Sequence, residues 1–144
     1  MTAFGLVGGV PGQRLAIGSQ AGSVTDYVIP ATGFQIEPNL TVNLTLLTPS
    51  NVLAYIACEW FSDTVRAIFS FRAKVILDGV TASPTANLEA GCGVAGNHYN
   101  YVTLATFVAV AAGAHTLQPY VYKGFAGDVV TLGGVVIQYV ALPV

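Results

Sequence analysis

The chain has 144 residues, of which five are basic and seven acidic, giving a net charge of −2. An ordinary domain of this length carries roughly 36 charged residues, and nucleic-acid binding needs Lys and Arg in clusters; here Arg66, Arg72 and Lys74 are the only close basic group. With 53% hydrophobic residues, so few charges imply that part of the outside is covered by other subunits.

The length suits one domain and is enough to bury a core without staples. No apolar run is long enough for a membrane helix. The first fourteen residues hold one basic residue, Arg14, and no apolar signal-peptide segment. The expectation is a protein made in a cytoplasm and not bound to a membrane.

Residues 1–22 hold six glycines and Pro11, too much backbone freedom for a helix. They read as an extended N-terminal arm, with the domain proper over 23–144. Phe4, Leu6, Val7, Val10 and Leu15 in the arm are apolar and suit attachment to a neighbour when assembled. The alternative is that the arm pairs with its own domain as an edge strand.

Beyond the arm, β-branched and aromatic residues alternate with turn formers, the composition of an all-β sandwich or barrel. Val24 to Ile29 is a strand closed by Pro30, and Phe34 to Ile36 a short one ended by Pro38. Leu40 to Leu47 alternates, with Leu40, Val42, Leu44 and Leu46 on one face. Val52 to Phe61 is nearly all apolar and predicts a strand buried on both faces. Val65 to Leu77 is a long strand with Arg66, Arg72 and Lys74 on one face. Asp78-Gly79 is a strong hairpin signal. Residues 81–98 are small and polar with a weak strand at Thr85 to Leu88. Strands follow at Tyr99 to Val110, His115 to Tyr122 and Val129 to Leu142, the last interrupted by a bulge at Gly133-Gly134. Eight or nine strands and no helix are expected.

The pattern offers little chemistry. His98 reads as a polar residue at a loop edge, and the ring of His115 as a hydrogen-bond partner of the preceding turn. Two histidines and two scattered cysteines do not make a metal site. Cys58 lies in an apolar run and reads as a core residue; Cys92 sits between glycines, and a disulfide between the two is not the default. Carboxylate pairs for hydrolysis reduce to Glu59 with Asp63 or Asp78 with Glu89, and Glu59 more readily pairs with Arg66 or Arg72. No nucleophile elbow or phosphate loop occurs. The expectation is a protein that is not an enzyme and holds no cofactor or metal.

From Leu40 to Val144 the order of features resembles a known family. A strand leads through Pro49-Ser50 into an apolar strand, a long strand ends in Leu77-Asp78-Gly79, and Ala112-Gly113-Ala114-His115-Thr116-Leu117 opens a β-rich end that finishes in Val140-Ala141-Leu142-Pro143. This is similar to the tumour-necrosis-factor/C1q-like jelly rolls of bacteriophage virion proteins, which often carry Ala-Gly-Thr-His-Thr; this chain has Ala114 where Thr is usual. The resemblance implies an antiparallel two-sheet jelly-roll sandwich that forms a homotrimer with apolar side chains along the threefold axis, and no enzymatic activity. It points to a virion protein, either a capsid decoration or cement protein bound to partners such as the major capsid protein, or a tail or fibre component binding a host-surface ligand. A secreted cytokine-like or lectin-like module is a third reading. Val52 to Phe61, Tyr99 to Val110 and His115 to Tyr122 are the candidate subunit contacts, with Trp60, Tyr99, Tyr101, Tyr120 and Tyr122 as interface or core aromatics.

Overall fold

The computed structural model describes residues 16–21, 26–83 and 90–144; for 16–21 and 66–70 the backbone alone is described. Eleven strands occur there and no helix: β1 (Ala16–Ala21), β2 (Tyr27–Val28), β3 (Gly33–Ile36), β4 (Val42–Leu46), β5 (Ser50–Ser62), β6 (Arg66–Leu77), β7 (Thr81–Ala82), β8 (Ala90–Cys92), β9 (His98–Val110), β10 (Gly113–Lys123) and β11 (Val130–Pro143).

The strands form two antiparallel sheets. One runs β1-β11-β5-β9, with β2 also on β11; the other runs β3-β10-β6-β7, with β4 also on β10 and β8 on β6. We call them sheet A and sheet B. The chain passes from one sheet to the other between β2 and β3, β4 and β5, β5 and β6, β8 and β9, β9 and β10, and β10 and β11. These crossings make the all-β jelly-roll sandwich that the sequence implies.

Period-two alternation decides which side chains meet. The inward rows carry Val42, Leu44 and Leu46 of β4, Val52 to Trp60 of β5 at even positions, Phe71 to Leu77 of β6 at odd positions, and Leu117 and Val121 of β10, all buried. Trp60 stacks on Phe71 with ring centroids 5.0 Å apart, and Tyr101 meets Phe71 edge-on at 5.4 Å. The core is therefore an aromatic plug at one end and aliphatic at the other.

Three expectations need correction. The strand expected over Val24 to Ile29 is the two-residue β2, with residues 22–25 outside those described. β5 is not buried on both faces: its even positions are buried, whereas its odd positions are half-buried and Leu53 is exposed, because nothing among the described residues covers the outer face of sheet A. The polar region also supplies β7 and β8; the expected strand at Thr85 to Leu88 lies outside the described residues.

Two local signals hold. Asp78 and Gly79 both sit at positive φ, 52° and 68°, and the Val80 N–H closes the turn on the Leu77 carbonyl at 3.1 Å; Asp and Gly are the residues that tolerate this geometry. The pairing of β11 with β5 shifts between Leu132 and Val135, the bulge expected at Gly133-Gly134. A side chain at Gly133 would come within 3.3 Å of the Glu59 carboxylate.

Candidate functional site

The outer face of sheet A is built by side chains that alternation turns away from the core. On β5 these are Leu53, Tyr55, Ala57, Glu59 and Phe61; the register sets Leu53 beside Thr106 and Val140, Tyr55 beside Leu104 and Gln138, and Ala57 beside Val102 and Val136. Leu53 is 40% exposed, Val102 51%, Leu104 58%, Val108 80% and Leu142 50%. Five apolar side chains so exposed present on the order of 450 Å², within the range of the largest, often functional, patch on a monomer. Among the strands of sheet A only β5 contributes a Lys, Arg, Asp or Glu, and that residue is Glu59.

Glu59 is met from β9. His98 Nδ1 lies 2.8 Å from Glu59 Oε1, and the His98 ring stacks on Phe61 with centroids 4.7 Å apart. Among the described side chains it is His98 that meets Glu59, where the sequence suggested Arg66, whose side chain lies outside the description, or Arg72; the contact places the one acid of the face at its rim, beside the Gly133 bulge.

The outer face of sheet B is different. Phe34 of β3 stacks on Tyr120 of β10 at 4.9 Å and leans on Tyr122 at 5.1 Å. Lys74 Nζ lies 4.9 Å from the centre of the Phe34 ring, and Arg72 Cζ 4.8 Å from that of Tyr122. Arg72 and Lys74 share this face because they are two residues apart on β6. Each cation rests on a ring quadrupole, a favourable contact of about 0.5–1 kcal/mol at such exposure. Gln118 donates to Thr41 Oγ1 at 3.2 Å and extends the polar row toward β4.

A clamp ties two turns at one end of the sandwich. The Asp78 carboxylate accepts the Thr116 backbone N–H at 2.8 Å and faces His115 Nδ1 at 2.8 Å. His115 Nε2 faces the Ala111 carbonyl oxygen at 2.9 Å, the contact with the preceding turn that the sequence suggested. Both ring nitrogens thus face acceptors, an arrangement that only a protonated imidazole satisfies. The hydrogen bond to Asp78 raises the His115 pKa above its ordinary value against the opposing effect of burial, helped by the Ala111 carbonyl and the Asp78 charge. For Asp78, burial raises the pKa, but the bonds from His115 and Thr116 and the His115 charge outweigh it and leave the carboxyl below its ordinary value.

The aromatic candidates separate by sheet face. Trp60 and Tyr101 are buried in the core. Tyr99 is half-buried, packs on Trp60 at 5.3 Å and accepts the Val94 N–H through its hydroxyl at 2.8 Å. Tyr120 and Tyr122 lie on the outer face of sheet B. Phe4, Leu6, Val7, Val10 and Leu15 lie outside the described residues; the arm's last part, β1, pairs antiparallel with β11 from Ala16↔Ala141 to Ala21↔Val136. Cys58 and Cys92 are free and buried, and burial pushes the Cys58 thiol up to about 12. Among the described residues no three of His, Cys, Asp and Glu gather as metal ligands would. Phe34 and Leu142 are surface residues outside the stretches that the sequence offered as subunit contacts, and within those stretches only the sheet pairing shows that Leu53 and Val108 point outward.

No protein-family model and no curated protein matches the chain. Among solved structures, the sandwich is similar to a chain in the structure of infectious bursal disease virus, Gx strain, at a TM-score of 0.53 and 12% identity over 97% of this chain and 36% of that one. Weaker likenesses are to the Gt strain of the same virus (TM-score 0.47, 10% identity, 99% and 42% covered) and to its VP2 subviral particle (0.46, 12%, 100% and 42%). The chain spans well under half the length of those chains, and the likeness establishes the β-sandwich fold.

Proposed function

We propose that this protein is a virion structural protein that acts by protein–protein contact rather than by catalysis. The observation that carries the reading is the outer face of sheet A, a largely apolar surface whose one acidic group is held at the rim by His98. Such a face is unsuited to permanent contact with water, and a matching uncharged face covers it without burying an unpaired charge. The fold shared with a chain of a virus particle, and the resemblance to tumour-necrosis-factor/C1q-like phage proteins, support a place on the virion.

In its specific form the proposal is a homotrimeric decoration or cement protein of a phage capsid. Three copies would turn their sheet A faces toward a threefold axis and bind a capsid protein as a unit. A closed ring suits a threefold position on a shell. The test is light scattering on the purified chain at micromolar concentration. A mass of three times 14.9 kDa, or a multiple of that, is expected. Leu53→Asp, which puts a charge in the middle of the face, should return the mass of one chain with β structure retained. A wild-type protein at single-chain mass would refute the proposal.

A further inference from the structure

Sheet A ends at β9, which pairs with β5 on one side and, among the described residues, with no strand on the other. The remaining outer strands are short: β1 has six residues, and β2, β3, β4, β7 and β8 have two to five. β9 has 13 residues and contains no Lys, Arg, Asp, Glu, Pro or Gly. Edge strands usually carry such residues because a bare row of N–H and C=O groups is a template for another strand. The one irregularity of β9 lies at its far end, where Ala109 takes a φ of 51° and its N–H binds the Asn51 side chain. Among the described residues, nothing protects the edge over most of its length.

We propose that the free edge of β9 pairs antiparallel with β9 of a second copy across a twofold axis. The occupant must be as long and as free of charge as the edge itself, and it must favour extended backbone. Of the chain's other uncharged stretches of this length, 38–58 and 129–144 hold β4, most of β5 and β11, which are already paired within the two sheets, and residues 1–13 are broken by Gly5, Gly8, Gly9, Pro11 and Gly12, residues that weaken a strand. β9 meets every condition. Centred on Leu104, the midpoint of the strand, pairing sets Val102 opposite the partner's Thr106 and Asn100 opposite the partner's Val108. His98 falls opposite the partner's Val110, so no like charges meet at any pH. The exposed row Val102, Leu104 and Thr106 then continues as one surface across both copies.

This contact goes beyond the threefold reading, because edge pairing uses backbone groups in the plane of the sheet and leaves the face free. Twofold links between threefold units extend an assembly in two dimensions, which is the connectivity a shell requires.

The test uses the full chain with Val102→Cys, Leu104→Cys or Thr106→Cys, treated with a short thiol cross-linker. Residues opposed across neighbouring strands have Cβ atoms about 4.5–5.5 Å apart. The native Cys58 and Cys92 are buried, and wild type is the control for them. Leu53→Cys, one strand inward on the same face, reports face contact instead. We expect Leu104→Cys to form the two-chain species at least tenfold faster than Leu53→Cys. Linking of Leu53→Cys at an equal or greater rate, or an oligomer in which none of the three β9 variants links, overturns the pairing while leaving the threefold reading intact. Loss of the Leu104→Cys link on deleting residues 2–15 overturns it in favour of the arm as occupant. A single-chain mass with no linking overturns both readings.

Discussion

Trp60 is the side chain on which the core depends most, and its indole N–H is in conflict with its surroundings. The side chain is fully buried, stacked on Phe71 at 5.0 Å, and its Nε1 has no hydrogen-bond partner among the described residues. A buried Trp removes about 150–250 Å² from water, which at ~25 cal/mol/Å² stabilises the fold by about 4–6 kcal/mol as an upper figure. Trp60→Ala loses most of this and opens a cavity between the sheets, so a cost of about 3–5 kcal/mol is expected. Trp60→Phe keeps the stack on Phe71 and removes an N–H whose desolvation costs about 1–3 kcal/mol. The smaller ring loses packing of similar size, and the net cost should fall below about 2 kcal/mol. Urea unfolding followed by circular dichroism measures both, since Trp60 is the only tryptophan and its fluorescence vanishes with it. If Trp60→Phe costs as much as Trp60→Ala, the N–H is satisfied in the folded protein and the accounting is refuted.

Two further outcomes are expected. The His115–Asp78 clamp gives a bounded pH window: His115, with a raised folded pKa, contributes stability that is complete below about 6.5 and lost as pH rises through its folded value, whereas Asp78, with a lowered one, contributes above about 4 and loses it as pH falls through its folded value. Melting temperature against pH should therefore show its clamp-dependent part between these limits and lose it in Asp78→Asn; an unchanged profile in that variant would disprove the coupling. Deleting residues 2–15 should leave the melting temperature and oligomer mass unchanged while binding to the particle falls at least tenfold, and deleting 2–22 should also lower the melting temperature by removing β1 from β11; a 2–15 deletion that binds as well as the full chain would end the attachment role.

The strands that could be read from sequence were those with a polar row. In β4, Asn43 and Thr45 mark the wet side, so Val42, Leu44 and Leu46 had to face inward, and they do. In β5 and β9 both rows are largely apolar, the outer ones broken by Asn51 and Glu59 and by His98, Asn100 and Thr106, and alternation alone gives only a weak signal of which row is inside. The odd residues Tyr101, Thr103, Ala105 and Phe107 are buried, and the even residues Val102, Leu104 and Val108 are not. In β9 the polar residues of the even row lie toward its ends, and the middle, Val102 and Leu104 against Tyr101, Thr103 and Ala105, does not settle the choice by itself. The decision comes from β5, whose Trp60 must meet Phe71 of the opposing sheet and so turns Leu53 and Leu104 outward together.

The clamp was hidden for a different reason. Asp78 was legible as a turn residue because the hairpin demands positive φ, and His115 as a neighbour of its own turn. Their meeting spans 37 residues and depends on β10 lying beside β6, with Leu117 opposite Leu77. That register places Thr116 just past the end of β6, where the Asp78 carboxylate takes its N–H and leaves the second oxygen for His115. One residue thus serves two constraints, turn geometry and the joining of two turns. Asn at position 78 satisfies the first and weakens the second, which is why Asp78→Asn should preserve the hairpin while changing how stability depends on pH.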